Sequence, residues 1–206
     1  MNNELLTLVK RVQAIAESGL HYTESDWDKD RYTDLEKIAM ALMSKITDQP
    51  LEVIALATPD HYGYKTPKID VRAVIINKKN EILLVKERVD LHWSMPGGWC
   101  DIGFTPKEVA EKEAHEEAGI TVKASRLLAL LDKKCHEHPE DLHYTYKIFI
   151  ECKAEDYSIS TGMETLDVAF FKQDALPELS TPRNTVEQID MMFDYHYKKI
   201  SWPIVD

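Results

Sequence analysis

The 206-residue chain is short of cysteine, short of positive charge and without a long apolar run, and each deficit narrows what it can be. Three cysteines (Cys100, Cys135 and Cys152) leave one over in any pairing and show no CxxC spacing. They read as free thiols of a reducing compartment. Lysine and arginine number 25 against 36 aspartates and glutamates, a formal net charge of -11. That balance disfavours a nucleic-acid partner without excluding one, and it leaves room for a small anionic substrate met by local cations. No apolar stretch approaches the roughly 20 residues needed to span a bilayer, and the opening MNNELLTLVKRVQ lacks a signal-peptide core. The expectation is a cytoplasmic protein with no membrane partner. Internal repeats and low-complexity tracts are also missing.

What is present divides along the chain. From Asn2 to about Ser18, Leu5, Leu8, Val9, Val12, Ile15 and Ala16 recur at helical spacing, and Gly19 is expected to stop that helix. A polar, aromatic connector follows, then a second helix from about Asp30 to Lys45 and a short third from Pro50 to about Leu56. Tyr22, Trp27, Arg31 and Tyr32 read better as a packed connector between helices than as a lid. Residues 1–57 thus form a helical domain too small for a stable core of its own, which must pack on the next domain or on another subunit; small appended domains of this kind often build dimers, and a homodimer is expected. TPDHYGYKTP, within residues 58–67, is the expected linker. Strands are expected over Lys68–Asn77, Glu81–Lys86, Arg126–Asp132, the alternating Tyr144–Ile150 segment and Leu166–Phe171, with a last helix over about Thr185–Lys199.

The most informative stretch is PGGWCDIGFTPKEVAEKEAHEEAGI, Pro96 to Ile120. Thr105 is placed to cap a helix, with Pro106 at its first position and Glu108 completing a capping box. Gly119 supplies the left-handed stop. Between them Glu113, Glu116 and Glu117 stand at i, i+3 and i+4 and share one helical face. Three carboxylates so close repel one another, and a hard divalent ion such as Mg²⁺ neutralises them. A bare acidic face is usually only solvated; between a Gly-Gly loop and a closing glycine, it reads as a site.

This stretch resembles the signature of the Nudix hydrolases: a glycine, five residues, Glu, seven residues, then Arg-Glu-apolar-x-Glu-Glu-x-Gly-apolar. Gly98 takes the first position and Lys112 to Ile120 the last nine. Phe104 replaces the first signature Glu, and Lys112 the Arg. The resemblance makes these two supporting residues, so their replacement reads as a paired change in a brace beside an intact metal-binding face. It implies an α+β Nudix fold over residues 68–206, a mixed β-sheet between helices in an α/β/α sandwich, behind a small all-helical N-terminal domain. It also implies hydrolysis of a nucleoside diphosphate linked to another moiety, X. Within the family the likeness is to CDP-choline pyrophosphatases first and to ADP-ribose or nucleotide-sugar pyrophosphatases next. A non-catalytic nucleotide-sensing or protein-binding module, and an RNA-degrading activity, are the remaining alternatives.

The resemblance assigns Glu113 and Glu117 as principal ligands of Mg²⁺ (or Mn²⁺), with Glu116 as a further ligand or water bridge and the Gly97 carbonyl beside them. Glu116 and Glu117 thereby join the catalytic set, and Glu164, in GMETLDVAFF, is the candidate carboxylate that takes a proton from water. Its bland reading is an exposed loop glutamate. Arg88 is placed to hold a diphosphate but equally fits a surface arginine. Trp93 and Trp99 flank the glycines and could stack on a base, although loop tryptophans more often pack. Cys135, His136, His138 and His143 match no usual zinc spacing and read as a polar substrate loop.

Overall fold

The computed structural model describes residues 2–57, 64 and 66–206, and most of the expected linker lies outside them. The chain divides into two compact units, Met1–Pro67 with Glu140–Tyr144, and Lys68–Pro139 with Thr145–Asp206.

The first unit holds α1 (Asn2–Tyr22), α2 (Asp26–Thr47) and α3 (Leu51–Ala57). Leu6, Val9, Ala39, Met43 and Ile54 form its buried core, with Leu142 packed against them. Gly19 does not stop α1, which runs on to Tyr22. A Cβ there would lie 2.4 Å from the Tyr32 ring, so the glycine makes room for an aromatic side chain. α2 begins earlier than the apolar period suggests, because Ser25 caps it and its side chain accepts the Asp28 N–H. Much of the expected connector is therefore helical.

The second unit comprises β1 (Lys68–Ile75), β2 (Glu81–Glu87), β3 (Trp93–Ser94), β4 (Gly97–Trp99), α4 (Pro106–Ala118), β5 (Lys123–Asp132), β6 (Thr145–Lys153), β7 (Thr165–Lys172), α5 (Val186–His196) and β8 (Ile204–Val205). A mixed five-stranded sheet runs β4-β1-β6-β5-β8, parallel between β1 and β6 and between β5 and β8. A second sheet, β3-β2-β7, is antiparallel. Val71, Ala73 and Ile75 of β1 join Val109, Ala110, Ala114 and Ala118 of α4 in one core, while Val74 joins Ile189, Met192 and Phe193 of α5 in another. This is the α+β Nudix architecture, with helices on both sides of sheet. β3, β4 and β8 are two or three residues long and carry no readable period; pairing with distant strands makes them.

The histidine-bearing loop is structural. Gln188 Nε2 donates to His138 Nε2 at 2.9 Å, leaving Nδ1–H to donate to the Thr181 carbonyl at 2.6 Å. Burial pushes His138 down to about 4, so the ring stays neutral at pH 7. His136 pairs with Asp206, and His143 falls in the other compact unit. The loop thus pins the start of α5.

α4 carries the capping box in full. Thr105 Oγ1 accepts the Glu108 N–H, the Glu108 side chain accepts the Thr105 N–H, and the helix ends at Gly119 with φ 64°. Thr105→Ala should cost about 1 kcal/mol, lowering the thermal midpoint by about 2–4 °C. Thr105→Ser should restore it, with both read by circular dichroism melting.

Candidate active site

The site grows from a backbone contact. β4 pairs antiparallel with β1, setting Gly97 opposite Arg72 and Gly98 opposite Val71. A Cβ on Gly97 would stand 2.0 Å from the Val71 carbonyl oxygen, so only glycine lets the turn come this close. The Gly97 N–H then donates to Glu117 Oε2 at 2.8 Å. Gly98 lies against Glu113, whose carboxyl carbon would be 3.4 Å from an added Cβ. Two carboxylates of α4, one helical turn apart, thereby meet at Gly97 and Gly98, where β4 begins.

Glu117 is 6% exposed. Burial pushes its carboxyl up to about 8, with Glu87 and Glu113 adding repulsion, against the pull of Arg72 and the Gly97 N–H. Burial also raises Glu113, opposed chiefly by Lys112. Glu116 is more exposed and turns outward, where Lys112 Nζ lies 3.1 Å from it and 3.2 Å from Glu113. The lysine thus lies on the acidic face instead of bracing the loop, while Phe104 stands exposed. Among the described residues, no three acidic, histidine or cysteine side chains already converge as metal ligands. The donor chemistry nevertheless fits a hard dication. A buried carboxylate lacks a neutralising partner of its own, a second adjoins it, and an ammonium group already rests between the outer pair.

The loop before β7 is locked to the same end of α4. Ser160 N–H donates to the Ala118 carbonyl at 2.9 Å, Gly162 N–H to that of Glu117 at 3.3 Å, and Thr165 Oγ1 to that of Glu117 at 2.8 Å. A Cβ on Gly162 would lie 1.8 Å from the Glu116 carbonyl oxygen. Glu164 sits on this loop, exposed. Arg88 Nε donates to the Met163 carbonyl at 2.9 Å, which brings the end of β2 to the Glu164 loop. Gly162 and Thr165 position the loop, and sequence reasoning missed both; the TGMET run was their only trace.

Trp93 meets Phe171 edge-on, with ring centroids 4.8 Å apart, and packs into the α5 core. That placement gives Trp93 a packing role, the alternative that stood beside base stacking. Trp99 remains 47% exposed, with Lys68 Nζ 5.5 Å from its ring centroid. A further charged group also escaped notice. Arg72 and Asp70, two apart on β1, share one face with Lys147 of β6, which is in register with Asp70. All three are nearly inaccessible, and Asp70 binds both cations. Burial pushes Asp70 up, yet Arg72 and Lys147 together hold it below the usual carboxylate range. Lys147 itself is brought down to about 8 by burial. Charged residues alternating in an otherwise apolar strand were the available hint.

The raised Glu117 group has a measurable consequence in the metal-free protein. Its ordinary value is 4.5 and its folded value about 8, so the native state holds the extra proton between them. Stability is therefore lost as pH rises through that window. His138, lowered from 6.5 to about 4, acts oppositely below pH 6.5. Between pH 6.5 and 8 the thermal midpoint in chelator should fall, and Glu117→Gln should flatten the slope; an unchanged slope would refute the assignment.

Residues 3–57 match the family described as a UDP-X-like, N-terminal oligomerisation domain, and residues 66–192 match the NUDIX domain. The chain is 43% identical over 190 residues to YjhB of Bacillus subtilis (strain 168), a provisionally named ADP-ribose pyrophosphatase, covering 92% of this chain and 91% of that one. The crystal structure of an ADP-ribose pyrophosphatase from Streptococcus suis 89-1591 matches with TM-score 0.61 and 38% identity, covering 68% of this chain and all of the other. The crystal structure of a UDP-X diphosphatase matches with TM-score 0.63 and 30% identity, covering 98% of each. With the glycine turn, the capped acidic helix and the helical unit before them, these matches place the chain in the Nudix hydrolase family, with a catalytic Nudix domain behind an N-terminal helical domain.

Proposed function

We propose that the protein is a Mg²⁺-dependent pyrophosphohydrolase that splits a nucleoside diphosphate linked to a sugar or sugar phosphate, as in ADP-ribose or a UDP-sugar. The meeting of Glu113 and Glu117 at Gly97 and Gly98 carries the reaction class. Two relatives named for ADP-ribose and one named for UDP-X favour those substrates, so CDP-choline gives way as the leading choice.

Glu113, Glu117 and the Gly97 carbonyl would hold the metal, with Glu116 joining once Lys112 releases it. A bound Mg²⁺ supplies charge neutralisation of the diphosphate and a more acidic water. Arg88 binds diphosphate oxygens through the guanidinium nitrogens not spent on Met163. Glu164, exposed on the loop before β7, takes the proton of the attacking water. Trp99 is the aromatic surface left for a base. On α1 and α2, Leu5, Leu8, Ile15, Ile38 and Leu42 are each more than 40% exposed and recur at helical spacing, which supports a homodimer built on the helical unit.

Purified protein with Mg²⁺ should cleave ADP-ribose or UDP-glucose faster than CDP-choline, read by product chromatography. Glu164→Gln should cut kcat by about 10²–10⁴ with KM little changed; an unaltered kcat removes Glu164 from the mechanism. Leu8→Glu with Ile15→Glu should convert a dimer to monomer in sedimentation velocity, and a wild-type monomer at micromolar concentration would refute the dimer.

A further inference from the structure

The strongest unexplained feature is the buried ionic group beneath the glycine turn. Arg72 is 5% exposed, Asp70 5% and Lys147 1%, in strands that are otherwise apolar there. Burying charge is costly, and apolar residues of similar volume would often be as stable. The arrangement is also directional. Arg72 Nε reaches both Asp70 oxygens at 3.1 and 3.2 Å, and Nη2 reaches one of them at 2.7 Å. Nη1 is left to donate to the Met95 carbonyl at 3.1 Å. Next to that carbonyl, Ala73 N–H donates to Pro96 O at 2.8 Å, and Gly97 follows with its N–H on Glu117. One guanidinium therefore grips the turn from below while also acting electrostatically on Glu117 and Glu87.

We infer that Arg72, anchored by Asp70 and Lys147, is the positioning residue of the metal cradle: it holds the Met95–Gly97 turn so that the Gly97 carbonyl and the Glu117 carboxylate are set for one ion. The inference rests on the reaction class proposed above and adds a role to residues outside the signature. Asp70 fixes the plane of the fork, and Lys147, opposite it across the β1–β6 pair, keeps Asp70 ionised and in place. Arginine suits the task because its rigid fork can serve a carboxylate and a carbonyl at once, whereas lysine offers a point charge.

The test is Mn²⁺ binding without substrate, read by electron paramagnetic resonance of the free ion, alongside KM and kcat at saturating Mg²⁺. Arg72→Met should weaken Mn²⁺ binding by about tenfold or more, with Arg72→Lys in between and KM within about twofold of wild type. Asp70→Asn combined with Lys147→Met leaves Arg72 in place, preserves net charge and should weaken binding as Arg72→Lys does. A purely structural role would lower the melting temperature and leave Mn²⁺ affinity unmoved. Folded Arg72→Met with wild-type affinity overturns the inference. Should Arg72→Met fail to fold, wild-type affinity in both Arg72→Lys and the double variant overturns it equally. Failure of the wild type itself to bind Mn²⁺ would sink the reaction class, and this inference with it.

Discussion

The second unit depends on a carboxylate buried where almost nothing favours a negative charge. Glu117 lies in the last turn of α4, toward the negative end of the helix dipole. It has lost nearly all contact with water, and Glu113 and Glu87 repel it. In its favour stand one backbone N–H and one guanidinium that is already shared. A lone buried carboxylate either takes up a proton or waits for a cation. The turn, the register of β4 on β1 and the clamp on the end of α4 all hold this group where a cation can reach it.

Those constraints are mostly main-chain. The Gly97 N–H, the Val71 carbonyl, the Met95 carbonyl and the carbonyls of Glu117 and Ala118 make the contacts that fix turn, helix and loop. Backbone atoms survive substitution, which explains how the chain departs from its family's pattern at Phe104 and Lys112 yet keeps the cradle. Phe104 leaves about half of its surface exposed, and its backbone is tied into the loop through Asp101. Lys112 has moved its charge onto the acidic face.

What the sequence made legible was local. α4 could be read almost to the residue, because its cap, first proline, carboxylate spacing and terminal glycine all lie within a short stretch. What it hid was contact between distant residues. Gly19 looks like a helix stop until Tyr32 occupies its empty side, and Gly162 looks like loop filler until it meets Glu116. Lys147 alternates as if facing solvent, and its partner is 77 positions away. Asp70 and Arg72 lie on β1, an interior strand between β4 and β6, and their partner Lys147 comes from another strand. The histidine loop read as a polar substrate loop, and nothing in its own residues signalled that Gln188 and Thr181 bind His138.

The charge balance settles how so acidic a protein can take an anionic substrate. Beside the site, Asp70, Glu87 and Glu117 are faced by Arg72, Lys147 and the partly buried Arg183, so this group adds little to the net -11. Outside this group, Glu113 and Glu116 outweigh Lys112 by one charge, so these side chains by themselves repel a diphosphate. A single dication reverses that sign at short range, where screening by salt is weak. Metal and substrate then each supply the charge the other lacks. Such a site needs no basic surface, only a cradle that keeps its carboxylates close enough to prefer a metal to their own separation.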